Sequence, residues 1–97
     1  MASMADDPRP LLVFFGANHS GPARRMESLM AHLARKERTR LRVTSIDIEE
    51  QPELAERFQV STVPTLALVK GKRVVGRLEG RVSVPKIERM LEPHLAA

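Results

Sequence analysis

The segment that most limits the fold is a run of five apolar residues near the start of the chain, Leu11–Phe15. Pro8 and Pro10 precede this run, and Gly16 ends it. A short apolar run between such breakers predicts a strand that is buried on both faces, as strands are in a parallel sheet. A strand of this kind needs helices on both sides of its sheet, so the chain is expected to be an α/β protein.

An amphipathic helix is predicted after this strand. Ser20 is placed to cap the helix, and Pro22 suits its first turn, where the missing N–H has no helical partner. The helix is expected to end near Arg38. Its apolar face is formed by four residues at helical spacing, namely Met26, Leu29, Met30 and Leu33.

The rest of the chain completes the order β-α-β-α-β-β-α, a four-stranded mixed sheet flanked by helices. The second strand is expected to be central, with two buried faces, because its apolar alternation slips at Ser45. The first three strands include a parallel pair, and the last two form an antiparallel hairpin. The predicted elements are strands at Leu41–Ile48, Thr65–Val69 and Arg73–Glu79, a short helix from Pro52 and a helix capped by Ser83.

A chain of 97 residues is expected to form one domain around one core. We assign residues 11–97 to the domain and residues 1–10 to a native extension or a cloning remnant. No apolar run approaches the length of a membrane span, and the first residues lack a signal-like pattern, so a cytoplasmic location without membrane contact is expected. The predicted core is Leu12, Phe14, Met26, Leu29, Leu33, Ile46, Ile48, Phe58, Leu66, Leu68 and Leu91.

Two segments and their spacing resemble the thioredoxin family. Ser20-Gly21-Pro22-Ala23 opens the first helix, and Val63-Pro64-Thr65 leads into the third strand, with Gly80 before the last helix. The resemblance covers about Leu11 to Leu95. It implies a minimal thioredoxin fold without the family's N-terminal strand and helix, an active-site position facing a cis-proline at Pro64, and a place in cell redox homeostasis.

The departures from the family concern the chemistry itself. The family's active site is Cys-Gly-Pro-Cys, but Ser20 and Ala23 stand at the cysteine positions, and the chain contains no cysteine. Phe14 stands where the family has a buried aspartate, and Ser45 where it has the paired lysine. Thiol–disulfide exchange needs one thiolate to attack and a second thiol to resolve the mixed disulfide. No catalytic residue is therefore predicted, and the vestigial active-site positions are Ser20, Gly21, Pro22 and Ala23.

Two explanations of this tetrapeptide stay open. The chain is a natural redox-inactive thioredoxin-like protein, or it is a thiol–disulfide oxidoreductase of the family in which one or both active-site cysteines were replaced by design. A change from cysteine to alanine at position 23 in a Ser-Gly-Pro-Cys parent would explain the mixed pair. The lost aspartate and lysine favour a parent that had already departed from ordinary thioredoxins.

Other chemistry is not indicated by the sequence. His19 lies beside Ser20, but no acid partner is identifiable, and sequence neighbours seldom adopt the geometry of a catalytic pair. His19, His32 and His94 lack the spacing of metal ligands. Neither a metal nor another cofactor is predicted.

A binding module is the alternative class of function. In the family, the residue before the cis-proline offers its backbone to an extended substrate segment, which implies a peptide-binding site at Thr62, Val63 and Pro64. The predicted partner is a protein or an extended peptide, and the chain is expected to be a monomer. Acidic peptides would be favoured by nearby cations, namely Arg24, Arg25 and Arg81.

The net charge of +4 is unevenly spread along the chain. Residues 19–42 carry seven basic and two acidic side chains, residues 43–69 one and five, and residues 70–97 seven and three. We interpret these blocks as solvated helix and hairpin faces. Nucleic-acid binding is not expected, because the chain has no Tyr or Trp and its three Phe lie in apolar patterns.

Overall fold

The computed structural model describes residues 9–17, 21–80 and 82–95, with the backbone alone at 21–24. The elements follow the predicted order, and the predicted fold class is confirmed. They are β1 (Leu11–Gly16), α1 (Gly21–Lys36), β2 (Arg42–Asp47), α2 (Pro52–Arg57), β3 (Thr65–Lys70), β4 (Arg73–Glu79) and α3 (Val84–Leu95).

The four strands form one mixed sheet in the order β2-β1-β3-β4. β1 and β2 are parallel, from the pair Leu11 and Arg42 to the pair Gly16 and Asp47. β3 is antiparallel to both β1 and β4. We call the end of the sheet where β1 and β2 finish and β3 begins the front end, and the opposite end the back end. The loop before β3 and the loop after β1 therefore both leave from the front end.

The apolar run of β1 is explained by its place between two packed layers. Successive side chains of a strand point to opposite faces. Leu12 and Phe14 pack on the face covered by α1 and α3, whereas Val13 and Phe15 pack on the other face, toward α2. None of these four side chains is more than 2% exposed. The prediction of a strand buried on both faces is confirmed for β1.

The same prediction is wrong for β2. Within the described residues β2 is an edge strand, and its middle residues Thr44 and Ser45 are exposed. The break in apolar alternation at Ser45 is thus the mark of an open edge, not of a second buried face. The strand is also shorter than expected, because the N–H of Leu41 donates to the carbonyl of Glu37 at 2.8 Å and closes a turn before the strand.

Of the eleven residues predicted to form the core, seven are buried and four are only partly buried. Leu12, Phe14, Met26, Leu33, Leu66, Leu68 and Leu91 are buried, while Leu29, Ile46, Ile48 and Phe58 are only partly buried and pack against the core. The partly buried residues lie on the rim of the packed layers, where less chain covers them. Buried residues outside the prediction include Phe15, Met30, Leu41 and Ile87.

The hairpin between β3 and β4 combines a tight turn with a β-bulge. Gly71 and Lys72 have φ values of 57° and 68°, and positive φ at both positions is typical of a two-residue hairpin turn whose twist matches the strands. Beyond the turn, the register shifts so that Val75 is the extra residue of a β-bulge. Val74 and Val75 are left 50% and 38% exposed.

Candidate functional site

The fold brings the two segments of the predicted site to the same end of the sheet. Phe15 near the end of β1 pairs with Thr65 at the start of β3. The helix that follows β1 and the loop that precedes β3 therefore both begin or end at the front end. Gly21, Pro22 and Ala23 form the first turn of α1, whereas Ser20 lies outside the described residues.

The loop before β3 is held on both sides of Val63. The peptide bond between Val63 and Pro64 is cis. Thr65 is 1% exposed, and its hydroxyl donates to the carbonyl of Thr62. The N–H of Gly80, after β4, donates to the carbonyl of Pro64 at 2.8 Å. These two bonds fix the carbonyls of the residues before and after Val63.

The backbone of Val63, unlike the carbonyls of its two neighbours, makes no internal hydrogen bond within the described residues. This holds for both its N–H and its carbonyl. A deeply buried backbone group without a partner would be costly, and Val63 is only partly buried. An extended peptide could therefore form backbone hydrogen bonds with Val63 without displacing an internal one.

Arg77 on β4 anchors the chain that leads into this loop. Its guanidinium donates to the carbonyl of Phe58, to the carbonyl of Gln59 at 2.6 Å and to a carboxylate oxygen of Glu79 at 3.0 Å. The two carbonyls lie just after α2, so one side chain of the hairpin ties down the segment between α2 and the loop. The sequence pattern assigned Arg77 to a solvated hairpin and missed this role. The position of Arg77 in the predicted strand could have indicated this role, because Arg77 lies opposite Ala67 and therefore on the face toward α2.

We expect Arg77→Ala to lower the free energy of unfolding by about 1–2 kcal/mol, because two carbonyls lose a charged donor that is still partly solvated. Amide exchange at Val60 should also become faster. Arg77→Lys is the matched control, since it keeps the charge but loses the forked geometry of the guanidinium. Its free energy of unfolding should lie between those of the unsubstituted chain and Arg77→Ala. Urea unfolding and hydrogen exchange measure these effects. An Arg77→Ala variant with unchanged stability and exchange would contradict the anchoring role.

An apolar ring occupies the position below the start of α1. Phe14 is 2% exposed and pairs with Ser45 across the parallel strands β1 and β2. Beside it lies a cavity of about 170 Å³ whose wall includes three carboxylates, those of Glu27, Asp47 and Glu50. Phe14 stands where the thioredoxin family, which the sequence resembles, has a buried aspartate. Unlike a carboxyl group, the phenyl ring cannot accept or release a proton, so its role here is packing.

The described residues show little else that could carry chemistry. Among residues 9–17, 21–80 and 82–95, no three His, Asp or Glu side chains are grouped so that they could hold a metal ion. None of the helices in these ranges is long and apolar enough to cross a membrane. Of the three cations expected near the loop, Arg25 is exposed on α1, the side chain of Arg24 is not described, and Arg81 lies outside the described residues.

Comparison with known proteins agrees with this geometry. The family model of thioredoxin matches residues 2–93. The chain belongs to the thioredoxin family. The crystal structure of a germline-specific thioredoxin, Deadhead of Drosophila melanogaster, superimposes on this chain with a TM-score of 0.82. The two are 30% identical, and the match covers 90% of this chain and 82% of Deadhead.

Relatives of this thioredoxin-family chain are found in several bacteria. A thioredoxin-like protein of Synechocystis is 30% identical over 89 residues, which cover 92% of this chain and 85% of that protein. Thioredoxin 1 of Nostoc is 29% identical over 90 residues, covering 93% and 84%. The bifunctional thioredoxin reductase/thioredoxin of Mycobacterium leprae is 33% identical over 79 residues, but the match spans only 17% of that larger protein.

Proposed function

We propose that this thioredoxin-family protein is redox-inactive and binds an extended segment of a partner protein. The binding site is the loop of Thr62, Val63 and Pro64, next to the vestigial positions Ser20, Gly21, Pro22 and Ala23. Residues 11–97 are the binding domain in this proposal, residues 1–10 are a native extension or a cloning remnant, and the protein works in the cytoplasm. The backbone of Val63, without a hydrogen bond in the described chain, is the observation that supports the site best.

Redox inactivity follows from the composition. The chain has no cysteine. A serine hydroxyl at the start of a helix does not ionise usefully at neutral pH and forms no disulfide, and alanine has no reactive group. Phe14 supports the same conclusion, because the surroundings of the former thiol site lack a buried proton-transfer group as well.

Peptide binding is supported by how the loop is held. The flanking carbonyls of Thr62 and Pro64 are already bonded inside the domain, so the loop keeps its shape when the backbone of Val63 pairs with a partner. Preorganisation of this kind lowers the entropic cost of binding. The described part of the front end carries Arg25 but also Glu27, Asp47 and Glu50, so backbone pairing rather than charge should supply most of the affinity. A contact of this size corresponds to a Kd of roughly 10 μM or weaker.

An NMR titration of the full chain with extended peptides tests the site. One acidic and one neutral peptide should each shift the amide signals of Thr62, Val63 and Gly80. Val63→Asp should weaken binding by about tenfold or more, since the new charge repels the partner's carbonyls. Val74→Asp, the same change at an exposed valine of the back end, is the matched control and should leave the affinity unchanged.

The loop is the wrong site if binding survives Val63→Asp. If binding is lost instead when Arg35, Lys36 and Arg38 are reversed to glutamate, the basic C-terminal end of α1 is the peptide surface.

The second candidate is a thiol–disulfide oxidoreductase whose cysteines were replaced. It is favoured by the relatives, several of which are thioredoxins by name. Phe14 and Ser45 favour the first candidate, because replacing two cysteines would not also remove the buried aspartate and its lysine. The codons for residues 20 and 23 in the source gene distinguish the two: two cysteine codons would support the second candidate and exclude the first.

A further inference from the structure

The topology collects positive charge at the back end of the sheet. The C-terminal end of α1, the start of β2 and the turn between β3 and β4 all lie there. The segments 35–42 and 70–73 carry eight cations and one carboxylate, that of Glu37. In the sequence these segments are almost thirty residues apart, and only the fold makes them one surface. The cations are Arg35, Lys36, Arg38, Arg40, Arg42, Lys70, Lys72 and Arg73.

Among the described residues, carboxylates reduce the charge on the α1 side of this surface, where Glu88 and Glu92 of α3 line a pocket together with Lys36, Glu37 and Arg40. Glu37 pairs with Arg40 at 2.6 Å. The side chain of Arg9 donates to the carbonyl of Arg38 at 2.7 Å, and the side chain of Arg42 donates to the carbonyl of Arg9 at 3.0 Å. Arg9 and Arg42 make further contacts as well, so neither is counted as an open cation. Within the described residues, no carboxylate pairs with Arg35, Lys36 or Arg38, nor with the three cations of the hairpin turn.

Two exposed valines adjoin the cations of the turn. Val74 and Val75 are 50% and 38% exposed and directly follow Lys72 and Arg73. Cations at a hairpin tip discourage pairing between sheet edges, and cations in the last turn of a helix complement its dipole. Neither reason accounts for two consecutive apolar side chains exposed beside them. The turn and the start of β4 therefore form a tip that is both cationic and apolar.

We propose that the back end is a peripheral docking surface for bilayers that contain anionic lipids, with residues 70–75 as its point of contact. Lysines and arginines lie among the headgroups, and the two valines reach the boundary of the acyl chains. Each cation close to an anionic leaflet strengthens binding by about fivefold. Such docking departs from the sequence-based expectation of no membrane contact, which rests on the lack of a spanning run; peripheral docking needs no such run. The peptide loop lies at the opposite end of the sheet, so this surface does not depend on the proposed peptide site.

Other polyanions fit the tip less well. A nucleic acid would gain nothing from exposed valines, and the aromatic residues Phe14 and Phe15 are buried and Phe58 half buried, so they offer no stacking surface. An acidic peptide that added a strand to β4 would meet the bulge at Val75, and bulges disfavour such pairing.

Co-sedimentation of the full chain with phosphatidylcholine vesicles, with and without 30% phosphatidylglycerol, tests this surface. At 50 mM salt we expect binding to the anionic vesicles alone, and at 500 mM a loss of about tenfold or more. Lys70→Glu/Lys72→Glu/Arg73→Glu should weaken binding by about a hundredfold or more, since three cations of about fivefold each are lost. Arg57→Glu/Lys86→Glu/Arg89→Glu is the matched control, since it changes the charge equally at exposed residues outside the back end. Equal losses in the two variants would overturn the proposal.

Val74→Ser/Val75→Ser separates a bilayer from other polyanions. It should weaken binding to anionic vesicles by about threefold or more and leave binding to a short DNA duplex or to polyglutamate unchanged. Tighter binding to either polyanion than to the vesicles, with no effect of the valines on the vesicles, would overturn the proposal. For the unsubstituted chain, a paramagnetic lipid should broaden the amide signals of residues 70–75 first, and broadening centred elsewhere also contradicts the proposal.

Discussion

Phe14→Asp is expected to unfold most of the protein at neutral pH. Phe14 is 2% exposed and belongs to the larger apolar cluster, between β1 and the helices α1 and α3. Removing a buried aromatic ring costs about 3–5 kcal/mol, and a carboxylate in its place adds a desolvation cost. The sum approaches the whole stability of a domain of this size, about 5–15 kcal/mol. Circular dichroism during urea unfolding should show the loss.

The pH dependence of this variant has a definite sign. Burial disfavours the charged form and so raises the pKa of the new carboxyl in the folded state above its unfolded value. The folded state then binds the proton more tightly, and the variant should be least unstable at pH 4 and lose stability as the pH rises. Phe14→Leu is the control and should cost only about 1 kcal/mol at either pH. A Phe14→Asp variant as stable as Phe14→Leu at pH 8 would show that this site is not apolar.

Adding Ser45→Lys to the aspartate variant tests the pairing of β1 with β2. Residue 45 is exposed and lies opposite residue 14, so a lysine there can keep its amine near water and still approach the carboxylate. We expect the added lysine to raise the free energy of unfolding of Phe14→Asp by about 1 kcal/mol at pH 8. The gain should be much smaller at pH 4, where the carboxyl is protonated. Equal rescue at both values would mean that the lysine acts through packing alone.

The elements that could be predicted from the sequence are those with a strong local pattern. The run Leu11–Phe15 between breakers indicates its own burial, and the spacing of Met26, Leu29, Met30 and Leu33 indicates a helix without reference to the rest of the chain. The hairpin of the last two predicted strands is equally local, because only residues 70–72 separate them. These signals sufficed for the order of elements and for the family, because each depends on only a few neighbouring residues.

The features that the sequence left hidden depend on contacts between distant segments. The bonds from Arg77 to the carbonyls after α2 join residues almost twenty apart, and nothing in the local pattern of β4 marks them. The edge position of β2 follows from the strand order, which periodicity does not specify. Likewise, the basic surface of the back end exists only because the fold places residues 35–42 beside residues 70–73. Site chemistry was predictable to the extent that it rests on residue identity, as in the lack of cysteine.

Placing cysteines at positions 20 and 23 should turn the chain into a slow reductase. In an insulin-reduction assay with dithiothreitol, the unsubstituted chain should match the buffer control, and Ser20→Cys/Ala23→Cys should give measurable turnover. The start of α1 directly follows residue 20, and a helix N-terminus lowers the pKa of a thiol placed there, so the first cysteine should be reactive. Residue 23 lies in the first turn of α1, where a second thiol can resolve the mixed disulfide.

The double variant should remain about a hundredfold slower than an ordinary thioredoxin, because Phe14 leaves no buried group to move the proton during resolution and a positioned acid or base contributes about that factor. Ser20→Cys alone is the matched control: reduced beforehand and mixed with insulin after removal of the dithiothreitol, it should attack a disulfide but not resolve it, and so accumulate a covalent adduct with insulin. Turnover by the unsubstituted chain would contradict redox inactivity itself. Full thioredoxin activity in the double variant would show instead that the surroundings of the site were never lost, and would make two replaced cysteines the better explanation of the tetrapeptide.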